Sequence, residues 1–247
     1  MIFKDNFTET HLLFAEPVHF TIYEDEHSIL PIDEFYLKIP TFGIFYFNDT
    51  FRNFVGLINA PISNLQQQFA IIQGFKTHYQ LLDGLIILQN RHTNRYLETV
   101  CQAISCLGIK FEIKGEGLRK MYINDNIVVN EKLFERICAI ILISLALKKQ
   151  SDFIDDPVMR EMQERINRIK NNNKAIKGAD SGNFNDAFMI LTYEFGYKPM
   201  EIYNMTQYVI NLILGHTNKS IKYKLSLIAA GNGNTKKVKF ITDKGSK

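Results

Sequence analysis

Hydrophobic and polar positions follow two rhythms along this chain, and the change falls near residue 48. Up to about Phe47, the stretch "PVHFTIYEDEHSILPIDEFYLKIPTFGIFYF" mixes β-branched and aromatic residues with prolines and a charged turn, Glu24-Asp25-Glu26-His27. That composition predicts strands and loops, although "PIDEFY" could equally start a helix. From Asp49 onward the apolar positions recur at three-and-four spacing. "DTFRNFVGLINAP" predicts a short helix stopped by Pro61, "SNLQQQFAIIQGF" a second, and "THYQLLDGLIILQN" a third, with Tyr79, Leu82, Leu85, Ile86 and Leu88 largely on one face. In "NRYLETVCQAISCLG", Leu97, Val100, Cys101, Ile104 and Leu107 form an apolar face that ends on Gly108.

The rhythm then changes to alternation. Ile109, Phe111 and Ile113 alternate, "KGEG" supplies a turn and "KMYIN" returns, which predicts a small hairpin. Asn130 can cap the next helix, with Glu131 favourably placed in its first turn. "KKQSDFIDDPVM" is a polar boundary in which Asp156 and Pro157 signal a helix start. The helix that follows carries Met159, Met162, Ile166 and Ile169, whose spacing makes a narrow heptad-like seam. "GADSGN" breaks it. In "NFNDAFMILTYEFGYKP", Phe184, Ala187, Phe188, Leu191 and Phe195 face one way before Gly196 and Pro199. A short turn of helix leads to Thr206, a good cap, with Met205 able to pack on Ile210 as a hydrophobic staple. The last helix, from Thr206 to Gly231, would run about 37 Å at 1.5 Å per residue, with Gly215 able to bend or split it. "NGNTKKVKFITDKGSK" reads as a loose basic tail. No internal repeat is visible.

The predicted fold class is α+β, predominantly helical after residue 50, with a β-containing N-terminal part and a small hairpin near 109–123. The pattern divides the chain into a β-containing part (1–48), a helical region with the hairpin (49–150), a C-terminal helical subdomain (151–231) and the basic tail (232–247).

Composition narrows the function classes. With 247 residues, 46% hydrophobic and 22% charged, the chain can bury a sizeable core. Its 29 Lys and Arg against 26 Asp and Glu leave a net charge of only +3, which gives no general basic excess for nucleic acid. Three cysteines do not make a disulfide framework and fit a reducing compartment. The start "MIFKDNFTETHLLF" lacks the basic head and apolar core of a leader. "ICAIILISLAL" is 11 residues long, short of the ~20 that span a bilayer, and reads as a buried helix.

No motif carries chemistry. Cys101 and Cys106 lie five apart, about 140° round a helix, and no histidine completes a ligand set. Cys101 is expected to be a buried core thiol. "GNGNTKK" lacks the GxxxxGK[ST] order of a phosphate loop. The run Glu24 to His27 suits a solvated turn better than a metal site. No nucleophile sits in an elbow such as GxSxG. The expectation is therefore a protein that is not an enzyme, with no catalytic, cofactor or metal residues. The arginines and lysines after Pro157 interleave with Glu161 and Glu164, as on an ion-paired, solvated helix. No aromatic side chains lie among them to stack on bases.

The order of elements adds a resemblance. A hairpin leads to the capped helix "NEKLFERICAIIL", the charged helix "MREMQERINRIKNNNKAIKG" and the phenylalanine-rich "FNDAFMILTYEFGYKP". The cap Asn204-Met205-Thr206-x-Tyr208 and a long helix ending Leu227-Ile228-Ala229-Ala230-Gly231 complete the series. Over Thr77 to Gly231 this arrangement resembles the tail assembly chaperones and related tail or baseplate assembly proteins of bacteriophages, especially those of Gram-positive hosts. Tyr203 stands where many such proteins have a tryptophan. The resemblance implies a non-catalytic role in virion morphogenesis, with tape-measure or baseplate proteins as partners and the infected cell's cytoplasm as the location. Met159, Met162, Ile166, Ile169, Tyr208 and Leu212 are the candidate protein-binding residues. A homo-oligomer stays open, and neither membrane nor nucleic acid is an expected partner. The rival readings are a permanent baseplate or tail subunit of the virion and a nucleic-acid-binding phage protein.

Overall fold

The computed structural model describes residues 1–62, 65, 75–88, 91–115, 120–147 and 184–216. Over these residues the protein is α+β, with helices around two small antiparallel sheets.

The first sheet has the order β1-β2-β3, formed by Ile2–Asp5, Val18–Tyr23 and Asp33–Leu37. Its alternation is clearest in β2, where Val18, Phe20 and Ile22 are buried and the residues between them half-buried. Phe20 pairs with Phe35 in the register and their rings stack at 4.8 Å. "PIDEFY" therefore resolves as strand β3. The charged loop closes on itself: Asp25 Oδ1 accepts from the His27 N–H and the Ser28 hydroxyl, both at 2.9 Å. Those two hydrogen bonds, the Ser28 one foremost, hold the Asp25 carboxyl below its usual range.

Two short helices interrupt this β-containing part, which sequence reading expected to be strands and loops. They are α1 (Glu9–Phe14) and α2 (Phe42–Phe47). Asn48 ends α2 and starts α3 (Asp49–Asn59), where its Oδ1 accepts from the Phe51 N–H at 2.9 Å. The helices α4 (His78–Leu88) and α5 (Arg91–Ser105) follow. Gly108, at φ +83°, completes the turn out of α5, a left-handed conformation that suits glycine.

The hairpin is present as β4 (Phe111–Lys114) and β5 (Lys120–Ile123), and a two-residue strand β6 (Ile127–Val128) adds a third member. Asn130 caps α6 (Glu131–Ser144) as the sequence predicts, accepting from the Leu133 N–H at 2.9 Å. The apolar run in α6 is buried throughout from Ile140 to Ser144.

One core joins these parts. It takes Phe20 and Phe35 from the first sheet, Phe51 and Phe54 from α3, Leu85 from α4, Ile104 from α5, Phe111 and Ile123 from the second sheet and Phe134 from α6. Each such side chain contributes about 1.5–3 kcal/mol by leaving water. Residues 148–183 and 217–247 lie outside the described residues. The predicted heptad seam, the polar boundary before it, the small-residue helix ending and the basic tail all fall there. Residues 63, 64 and 66–74, most of "SNLQQQFAIIQGF", also lie outside the described residues.

Candidate protein-binding surface

The C-terminal described residues form α7 (Phe184–Tyr193), α8 (Pro199–Asn204) and a helix over 207–216, α9, that runs on through Gly215. Gly196, at φ +71°, closes α7 as its sequence signals. Glu201 Oε2 accepts from the Lys198 N–H at 2.7 Å and so fixes the start of α8.

Thr206 does more than cap. Its Oγ1 accepts from the Val209 N–H at 3.2 Å and donates to the Leu12 carbonyl of α1 at 2.6 Å, and the residue is 1% exposed. The neighbouring backbone is also tied down: Thr206 forms a β-bridge with Thr41, and the Phe42 N–H donates to the Met205 carbonyl at 2.7 Å. Met205 and Ile210 share one apolar cluster, the arrangement a staple requires.

The two predicted partner-binding residues of α9 face inward. Tyr208 is 1% exposed and donates its hydroxyl to the Glu9 carboxylate, and Leu212 is half-buried against the main core. In this arrangement they join α9 to α1 and the main core. Met159, Met162, Ile166 and Ile169 lie outside the described residues, so the structure does not bring the six together. Ile210, on another face of α9, enters a second, smaller core with Phe42, Leu191 and Ile202.

Around that second core, apolar side chains remain exposed. Leu191 is fully buried, so Met189 and Tyr193, two residues away and about 200° round α7, point outward. They are 50% and 75% exposed. On α8, Ile202 is buried while Met200 and Tyr203 share an outer face. Phe47, at the end of α2, stacks on Tyr203 at 6.0 Å and is 67% exposed. Gly43 allows this approach: a Cβ there would come within 2.2 Å of the Tyr203 ring. The sequence pattern did not mark this surface: Tyr203 stood out only for its place where many tail assembly proteins have a tryptophan, and Met200 was given no role. The signal available was the density of large apolar residues from Met189 to Tyr203.

Cys101 is half-buried, a correction to the fully buried thiol expected from its apolar neighbours. Leu97 and Ile104 are buried beside it, but its own side chain borders a groove between α5 and β4. Burial first, then the charges of Glu112 and Glu98, push the thiol up to about 11. Among the described residues, no group of three or more His, Cys, Asp or Glu side chains could hold a metal ion, and no helix is long and apolar enough to cross a membrane. The chain matches no protein-family model, no curated protein and no solved structure.

Proposed function

We propose that this chain is a non-catalytic assembly factor of a phage tail or baseplate, which holds a tape-measure-like partner during tail construction in the infected cell. The observation that carries the reading is the exposed apolar surface of α7, α8 and the end of α2. Met189 and Tyr193 form one ridge, Met200 and Tyr203 another, and Phe47 extends the second. Ridges of this kind suit an amphipathic helix, which supplies apolar residues at three-and-four spacing. The occupant is an apolar helical segment of the tape-measure protein, which needs cover until tube subunits surround it. The resemblance over Thr77 to Gly231 supports the same partner class.

The test is co-expression with a phage tape-measure protein, comparing the unaltered chain with a Tyr193→Glu, Met200→Glu double variant. Both side chains are exposed, so the variant should keep its melting temperature while losing capture and solubilisation of the partner. Undiminished capture would falsify the assignment of this surface. Stoichiometric presence of the chain in mature particles would make it a virion subunit instead.

A further inference from the structure

Among the described residues, β4 pairs with β5 alone, which leaves the second sheet an open edge, and two backbone hydrogen bonds fix which way its groups point. The Asn124 N–H donates to the Lys110 carbonyl at 2.8 Å, one residue before β4 in the same register. The Val129 N–H donates to the Met121 carbonyl at 2.9 Å, on the β6 side of β5. Successive residues of an antiparallel ladder turn their backbone groups to opposite sides. Both bonds therefore give one answer. Lys110, Glu112 and Lys114 turn theirs toward β5, while Phe111 and Ile113 turn their N–H and C=O groups to the free edge.

That edge borders a groove of about 500 Å³ whose other wall is α5. Leu97 and Cys101, four residues apart on the helix, give it an apolar side, and Glu98 and Gln102 follow one position on. Leu97 is buried, Cys101 half-buried and Glu98 exposed. Glu98 on the helix and Glu112 on the strand bring two carboxylates to the groove. The lysines of the strand are committed to ion pairs: Lys110 meets Glu112 at 2.8 Å and Asp125 at 2.9 Å, and Lys114 meets Glu112 at 2.7 Å and also Asp125.

We propose that this groove takes an extended peptide segment of a partner protein, added as a strand beside β4, with apolar side chains toward Leu97 and Cys101 and a Lys or Arg near Glu98. An open strand edge offers main-chain hydrogen bonds, and the helix wall reads alternate side chains. β4 has four residues, about 13 Å at ~3.3 Å each, so the core of the segment is about four residues long. This site is separate from the helical surface above and does not depend on the tail-assembly reading.

The probe is the peptide acetyl-Arg-Val-Lys-Val-Arg-Val-amide, titrated into the isotope-labelled full chain and followed by NMR. Its acidic counterpart, with Glu at each basic position, is the control. The basic peptide should shift the Phe111 and Ile113 amide signals saturably and slow their hydrogen exchange about tenfold, while the acidic one does neither. Ile113→Pro removes an N–H that faces the edge and no bond to β5, a place where sheets accept proline. It should weaken binding about tenfold or more, whereas Ile113→Ala, which keeps the N–H, should stay within about threefold. Equal binding by the proline variant overturns the proposal, as do signals that map away from Phe111 and Ile113. Should the proline variant fail to fold, the exchange measurement on the unaltered chain decides alone. Concentration-dependent dimerisation that protects the same two amides would put a second copy of the chain in the groove and overturn the assignment to a partner.

Discussion

Thr206 shows how much one side chain does when its position is shared between elements. As an exposed cap it would contribute about 1 kcal/mol. Here the same hydroxyl also donates to the Leu12 carbonyl, and the site is buried. Thr206→Ala removes the cap and leaves a buried carbonyl without its donor, a further cost of about 1–3 kcal/mol. The variant should therefore lose about 2–4 kcal/mol in urea unfolding, and Thr206→Ser, which keeps the hydroxyl, clearly less. A loss of about 1 kcal/mol or below would mean that the Leu12 bond contributes little. Cys101 makes a second residue-scale prediction. Burial and the two nearby carboxylates disfavour its thiolate, so the pKa rises. The sign is that the thiol stays neutral and unreactive until the pH approaches 11. At about pH 8 roughly one part in a thousand is ionised, against about a quarter for an ordinary thiol. Alkylation of Cys101 by iodoacetamide, followed by peptide mapping, should be about a hundredfold slower than that of a free cysteine and should accelerate with each unit of pH. A rate equal to free cysteine would show that its surroundings do not hold the thiol neutral.

Elements were legible where one face alone was apolar. The helices α3 and α5 lay one apolar face against the main core, so their three-and-four spacing and their stops, Pro61 and Gly108, could be read directly, whereas α6 was legible from its cap and its unbroken apolar run. Hairpin alternation and the Asn130 cap were equally plain. α2 was hidden for a physical reason: its six residues, "FGIFYF", serve two cores at once. Ile44 and Phe45 pack on the main core while Phe42 and Tyr46 belong to the second, so no polar stripe marks the helix. Six aromatic-rich residues with apolar groups all round read as a strand. α9 shares this property, with Tyr208 and Leu212 toward one core and Ile210, Ile213 and Leu214 toward the other. Its cap and staple were visible, but which face was free was not. The same limit hid the exposed surface of α7 and α8. Met189, Tyr193 and Met200 have the residue types of a core, and only the packing of Leu191 and Ile202 reveals which side is covered. The open edge of β4 depends on strand order and hydrogen-bond parity, which a spacing of apolar residues does not encode.

At the scale of the whole molecule, the question is whether the N-terminal sheet folds apart from the helices, as the division at residue 48 supposes. Two features couple them. Phe20, Phe35 and Leu37 of the first sheet share a core with α3 to α6. Asp5 of β1 also accepts from Arg136 of α6 through two bonds of 2.9 Å, with the carboxylate side chain 8% exposed and the guanidinium 15%. The guanidinium carbon lies 5.8 Å from the Phe7 ring centroid, and the Phe7 N–H donates to the same carboxylate at 3.1 Å. Removing Asp5 takes two charge-assisted hydrogen bonds from a largely covered guanidinium, which costs about 2–3 kcal/mol. Asp5→Ala should therefore destabilise the sheet and the helical region together, in one unfolding transition seen equally by tyrosine fluorescence and by far-ultraviolet circular dichroism. The double variant Asp5→Leu, Arg136→Met, which removes both charges, should lose less than the two single changes summed. Suppose instead that Asp5→Ala produced an early transition carrying only strand signal, with the helical signal unchanged. Then the first 48 residues would be a separate unit, and the shared core would be a contact between two stable parts that each fold alone.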